Sequence, residues 1–223
     1  MKHAASAVVA TANNPGFTPQ EARDFYPDGI TMREARERYF QRAGFSAASY
    51  VDPWLFVPFA GRVVRLPNLK ARRDAVRVHD LNHVIGGFGT DWLGEAMIGG
   101  FELGMGAGQY WIAWMLDATA LSVGLVRAPG AVIKSFARGR AARASTFAVI
   151  PDVTAPEYEA ILDSTVGEFR ARIGAPDHAD VTVADVLKLA GYTVGGWCVV
   201  PLIMGIALGT AIHGVVSPPV AEA

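Results

Sequence analysis

The stretch NLKARRDAVRVHDLNHVIGG, residues 68–87, spaces Val78, Leu81 and Ile85 three to four residues apart and closes on two glycines. That is the period of an α-helix, with Gly86-Gly87 standing where a left-handed residue ends one. Asn68 is of the type that caps a helix start. The same punctuation recurs as Thr followed three residues later by Glu, a pattern that satisfies the orphan amides of a first turn. Thr18-Pro19-Gln20-Glu21 predicts a short helix, Thr31-Met32-Arg33-Glu34 one ending near Gly44, and Thr154-Ala155-Pro156-Glu157 one ending near Gly174. WLFVPFAGRVVRLPN, from Trp54 to Asn68, is instead rich in aromatic and β-branched residues around Ala60-Gly61 and predicts a small hairpin made marginal by its prolines. The expected fold is mainly α: a helical domain with a β-hairpin near residues 54–67 and a C-terminal apolar helix.

Of the 223 residues 18% are charged, 51% are apolar and 24 are glycine, an oily balance that leans toward membrane contact. The single cysteine, Cys198, excludes an internal disulfide framework and a cysteine-based zinc site. Arg127, Lys134, Arg138, Arg140 and Arg143 follow one another without an acid among them, and suit either a solvated face or an anionic membrane. With a net charge of -1 and no recognised module, no nucleic-acid partner is expected. LAGYTVGGWCVVPLIMGIALGTAI, Leu189 to Ile212, has no charged residue, and about 20 such residues cross a bilayer as a helix. A membrane anchor is expected there, against the alternative of a buried core helix. The expected organisation is a flexible tail over 1–17, a helical metal-binding domain over 18–186, the anchoring helix over 187–213 and a tail over 214–223.

The ionisable residues of HDLNHVIGGFGTDWLGE, 79–95, carry the candidate chemistry. At about 100° per residue, His79, Asp80 and His83 fall within an arc of about 100° on one helix. Thr90-Asp91 then caps a second helix with Glu95 one turn in, so an antiparallel pair aims Glu95 back at the same point. Two imidazoles and two carboxylates suit zinc, iron, manganese or cobalt. The plainer alternative is a solvated polar face, opposed by the apolar neighbours Val76, Val78, Leu81, Val84 and Ile85. H-D-x-x-H differs from the zinc-protease H-E-x-x-H in lacking the glutamate base. Glu102, seven residues after Glu95, lies on nearly the same face and fits either an orienting partner for a histidine, a proton relay or a solvated acid.

H-D-x-x-H, eleven residues and Glu, with Gly94 before the Glu, resembles the signature of the coenzyme Q biosynthesis protein 4 family. The likeness runs through ARRDAVRVHDLNH and WLGEAMIGGFELG to FARGRAAR, roughly residues 65–145. It implies a mostly helical, bacterial-type member in which His79, Asp80, His83 and Glu95 hold a divalent metal, zinc or, for redox chemistry, iron or manganese. The implied role is in ubiquinone biosynthesis: removal of the ring carboxylate of a prenylated aromatic acid and hydroxylation of the carbon that bore it. Asp80, Glu95 and Glu102 are then the candidate catalytic acids. A non-catalytic scaffold that binds quinone or lipid and holds a structural metal is the alternative. The implied partners are the prenylated quinone precursor or another isoprenoid lipid, the membrane and the other biosynthetic enzymes, with a homo-oligomer allowed. Without an Arg-rich transit sequence, the expected location is the cytoplasmic face of a bacterial inner membrane.

Beyond Glu95, Gly100, Gly104 and Gly108 recur every four residues and leave one helix face nearly bare. Such a stripe admits a closely packed helix or forms a groove for an alkyl tail, and Tyr110, Trp111 and Trp114 would extend that groove with interfacial aromatics.

Overall fold

The computed structural model describes residues 16–59 and 62–216. The turn expected around Ala60-Gly61 and most of the two expected tails lie outside these residues. The described chain is mainly α with one small antiparallel hairpin, as the sequence predicts. In order it forms α1 (Pro19–Phe25), α2 (Met32–Ala43), a 3₁₀ turn (Ala47–Tyr50), β1 (Trp54–Phe59), β2 (Arg62–Pro67), α3 (Lys70–Gly86), α4 (Trp92–Met105) and α5 (Trp111–Arg127). There follow α6 (Pro129–Arg140), α7 (Thr146–Val149), α8 (Pro156–Asp163), α9 (Val166–Ile173) and α10 (Val183–Val216). Leu55 pairs with Leu66 and Val57 with Val64 across the hairpin.

Local signals act at several expected places. Thr18 and Glu21 form a reciprocal capping box, the Thr31 hydroxyl accepts from the Glu34 amide, and α2 ends on Gly44 at φ 70°. Two signals act differently. Asn68 does not cap α3; its Nδ2 donates to the carbonyls of Ser49 and Asp52, at 3.1 and 2.8 Å, and Leu69 takes the cap position. The helix expected from Thr154 to Gly174 starts instead on Ala155 without a side-chain cap, the Thr154 hydroxyl donating to Asp152, and it is two helices, because Thr165 and Glu168 form a capping box of their own that restarts it. The break frees the Ser164 carbonyl to accept from the Met32 amide at 2.9 Å, tying α8 and α9 to α2.

One core gathers Met32, Tyr39 and Phe40 of α2 with Val78 and Leu81 of α3, Phe147 of α7 and the apolar faces of α8 and α9. A second lies among α4, α5, α6 and α10 around Leu103, Leu121, Val132, Phe136 and Leu189. Gly100 and Gly104 of the glycine stripe belong to this second region, and their face is filled. A Cβ on Gly104 would run into the Phe136 carbonyl and the Arg140 amide, and one on Gly100 would sit 3.0 Å from the Val132 carbonyl oxygen. Gly108 lies beyond the end of α4 at φ 54°. The groove expected along Gly100, Gly104 and Gly108 is therefore corrected to a close α4–α6 contact, the other use of small residues on a helix face.

α10 begins by docking on this region. Thr182 and Asp185 cap its start reciprocally, Asp185 forms a 2.6 Å ion pair with Arg140 of α6, and Leu189 is buried. The Ser122 hydroxyl of α5 donates to the Thr193 carbonyl at 3.2 Å. The span expected over residues 189–212 falls within α10, where the side chains of residues 200, 202–204, 206–208 and 210–216 lie outside those described. Among the described residues no helix is long and apolar enough to cross a membrane.

Candidate metal centre

His79 and His83 stand one turn apart on α3, and their Nε2 atoms approach to 3.1 Å. Gly87, left-handed at φ 71°, ends the helix, and Asp91 caps α4 by accepting from the Gly94 amide at 2.7 Å. This reversal returns Glu95 to the histidines, with Oε2 3.4 Å from His79 Nε2 and Oε1 3.5 Å from His83 Nε2. His83 Nδ1 lies 3.2 Å from the Phe88 carbonyl oxygen, which can only accept, so Nδ1 carries the hydrogen and Nε2 a lone pair. The Tyr39 ring stacks on His83, with centroids 5.0 Å apart.

Behind His79 the acids are more deeply buried. Both oxygens of Glu102 lie 3.1 Å from His79 Nδ1, and Asn82 Nδ2 donates to Glu102 Oε1 at 2.6 Å. A carboxylate on the far nitrogen fixes the tautomer of a metal-binding histidine, and Glu102 is placed to do that here. Asp117 of α5 completes a second close group with His79 and Glu102. Burial first, and then the charge of Glu102, hold the Asp117 carboxyl well above the usual carboxylate range.

The electrostatics mark the point between the histidines as one that seeks positive charge. Burial opposes a charge on His79, but Glu102 and Glu95 outweigh it and hold the imidazole well above its ordinary value. Burial pushes His83 down to about 4. Two imidazole nitrogens and a carboxylate converging on one point is a donor set that fits a divalent cation, with further positions left for water or ligand. Among the described residues, those grouped closely enough to hold metal are His79, His83 and Glu95, with Glu102 and Asp117 behind.

Asp80 stands apart from the expected four-ligand set. One residue on from His79 places it about 100° around the helix, where Oδ2 accepts from the Tyr50 hydroxyl at 2.5 Å and Oδ1 from Tyr39 at 3.3 Å. Burial raises its carboxyl to about 6, against the opposing pull of His79 and the two tyrosines. It belongs to neither metal-sized group, though it lines the same cavity.

That cavity, about 290 Å³, is bounded by His79, Asp80, Glu95, Glu102 and Asp117 on its polar side. Phe45, Val76, Ala113 and Leu116 supply apolar wall, and Arg72 is the further charged residue. The aromatics expected beside a tail groove go elsewhere. Tyr110 is buried with its hydroxyl donating to the Ile150 carbonyl at 2.8 Å, while Trp111 and Trp114 are 59% and 38% exposed. Arg72, Tyr39, Tyr50 and the part played by Asp117 are site features that the sequence reading does not name. Arg72 carried a usable signal, since seven residues before His79 is two turns along the same face. The tyrosines carried none, because only packing of α2 and the 3₁₀ turn against α3 brings them in. Comparison with protein-family models, with curated proteins and with solved structures gives no match to this chain.

Proposed function

We propose that this protein is a metal-dependent enzyme of ubiquinone biosynthesis, acting on a prenylated aromatic acid at the cytoplasmic face of a bacterial inner membrane. The observation that carries the reading is the convergence of His79 Nε2, His83 Nε2 and Glu95, of which His79 and Glu95 line a partly apolar cavity. The spaced motif and its likeness to the coenzyme Q biosynthesis protein 4 family supply the substrate class. The overall change exchanges the ring carboxylate for a hydroxyl and releases carbon dioxide, with dioxygen and a two-electron reductant as co-reactants. A bound divalent ion supplies Lewis acidity there, and iron or manganese also supplies redox capacity that zinc lacks.

The chain's own residues prepare the place. His79, His83 and Glu95 would hold the ion, and Glu102 keeps the His79 ring oriented. Phe45, Val76, Ala113 and Leu116 limit water around an aromatic ring, which strengthens every polar interaction beside it. Exposed Trp111 and Trp114 are of the type that favours a membrane interface and support peripheral association. The test supplies full-length protein loaded with iron, manganese or zinc, a reductant and a 3-prenyl-4-hydroxybenzoate-type acid. Carbon dioxide release matched by hydroxylated product supports the reading. Retained metal and lipid binding without turnover, with partner enzymes present, would favour the non-catalytic scaffold.

A further inference from the structure

Arg72 brings to the cavity a cationic group whose hydrogen-bonding capacity is largely unspent. It sits in the first turn of α3, and its Nη1 donates to Asn68 Oδ1 at 3.1 Å. Asn68 is itself buried and anchored through Nδ2 to the Ser49 and Asp52 carbonyls, so the guanidinium is held from behind. Among the described residues no carboxylate lies within ion-pair distance of Arg72. The nearby acids are committed elsewhere: Asp80 to two tyrosines, Glu95 to the two histidines, Glu102 to His79 and Asn82.

A guanidinium has five donors in a planar fork that matches a carboxylate, and here one contact is made. The wall between Arg72 and the histidines includes Val76, and Ala113 and Leu116 line the same cavity. A ligand with an anionic group, a flat apolar body and a second oxygen for the metal end would use all three kinds of wall. We infer that Arg72 is the specificity-determining residue that receives the ligand's carboxylate, selecting aromatic acids over neutral aromatics of the same shape. The inference rests on the aromatic-acid reading proposed above. Burial already lowers the Arg72 pKa, so an anion entering the cavity meets a cation that water has partly left. The rival explanation is that Arg72 only offsets the field of Asp80 and Glu95, in which case it would not discriminate acid from ester.

The experiment is titration calorimetry on full-length, zinc-loaded protein with a 3-alkyl-4-hydroxybenzoate and its methyl ester, for the unaltered chain, Arg72→Gln and Arg72→Lys. The expected result is about 10- to 100-fold weaker binding of the acid to Arg72→Gln. Ester affinity and zinc content should be unchanged, and Arg72→Lys should recover part of the loss because it keeps charge without the fork. If Arg72→Gln fails to fold, Arg72→Lys decides through the same comparison, a loss confined to the acid being the supporting result. Equal loss for acid and ester, or no loss for either, overturns the role of Arg72 while leaving the aromatic-acid reading standing. An unaltered protein that binds neither compound overturns both.

Discussion

Two imidazole nitrogens 3.1 Å apart, each with its other nitrogen engaged, share either a proton with Glu95 or a cation. Removing any of the three converging groups should therefore reduce metal retention. Glu95→Ala and His83→Ala are expected to lose most bound metal in elemental analysis of protein purified without chelators, and full occupancy in both would end the assignment. Asp80→Ala is expected to behave differently. It strands the hydroxyls of Tyr39 and Tyr50, at a cost of about 1–3 kcal/mol in denaturant unfolding, while metal content stays close to that of the parent. Metal loss in Asp80→Ala with the fold intact would return Asp80 to the ligand set that the family resemblance implies.

At the scale of elements, the α4–α6 contact gives Gly104→Ala a decisive sign. In an open helix face the change gains up to about 1 kcal/mol from helix propensity. Against the Phe136 carbonyl and Arg140 amide it should instead lower stability by about 1–3 kcal/mol in equilibrium unfolding. The start of α10 offers a pH signature. Burial works to raise the Asp185 pKa, but its bonds with Thr182 and Arg140 prevail and leave it below the ordinary value. A depressed carboxylate stabilises the fold above its unfolded pKa, near 3.9, and that contribution is lost as pH falls through the folded value. Asp185→Asn should therefore unfold about 1–2 kcal/mol more easily than the parent at neutral pH, with the gap closing below about pH 4. A gap that is independent of pH would remove the ion pair and cap as its cause.

Across the whole molecule the candidate metal site draws on α3 and α4, one from each core region. An ion that binds only the folded chain should stabilise it by about 2.7 kcal/mol at a hundredfold excess over Kd, seen as a rise in Tm reversed by chelator and absent in Glu95→Ala. The second core also depends on α10. Ending the chain at Lys188 takes Leu189 from its contact with Leu121, Val132 and Phe136, and should cost at least about 1.5–3 kcal/mol. A chain ending at Val199 keeps that contact and should be the more stable of the two truncations, so equal stability of the two would count against the docking of α10.

Local chemistry was readable where its cause is local. Threonine-to-glutamate spacing set the starts of α1 and α2, glycine ended α2 and α3, and the period of residues 78–85 put His79 and His83 on one face. A helix's angular period lies in its residue order, so the sequence alone determined a mainly α fold and a candidate cluster of His79, Asp80 and His83, with Glu95 offered from the next helix. Tertiary structure decided what depends on neighbours distant along the chain. It turned Asp80 onto Tyr39 and Tyr50, closed the Gly100–Gly104 face with α6, set Asn68 against Ser49 and Asp52, and brought Arg72 into the cavity. An acid one residue from a histidine, or a bare stripe on a helix, has several partners available to it by composition. Which one it meets is fixed only when separate elements pack and each buried polar group must find an acceptor or donor within reach.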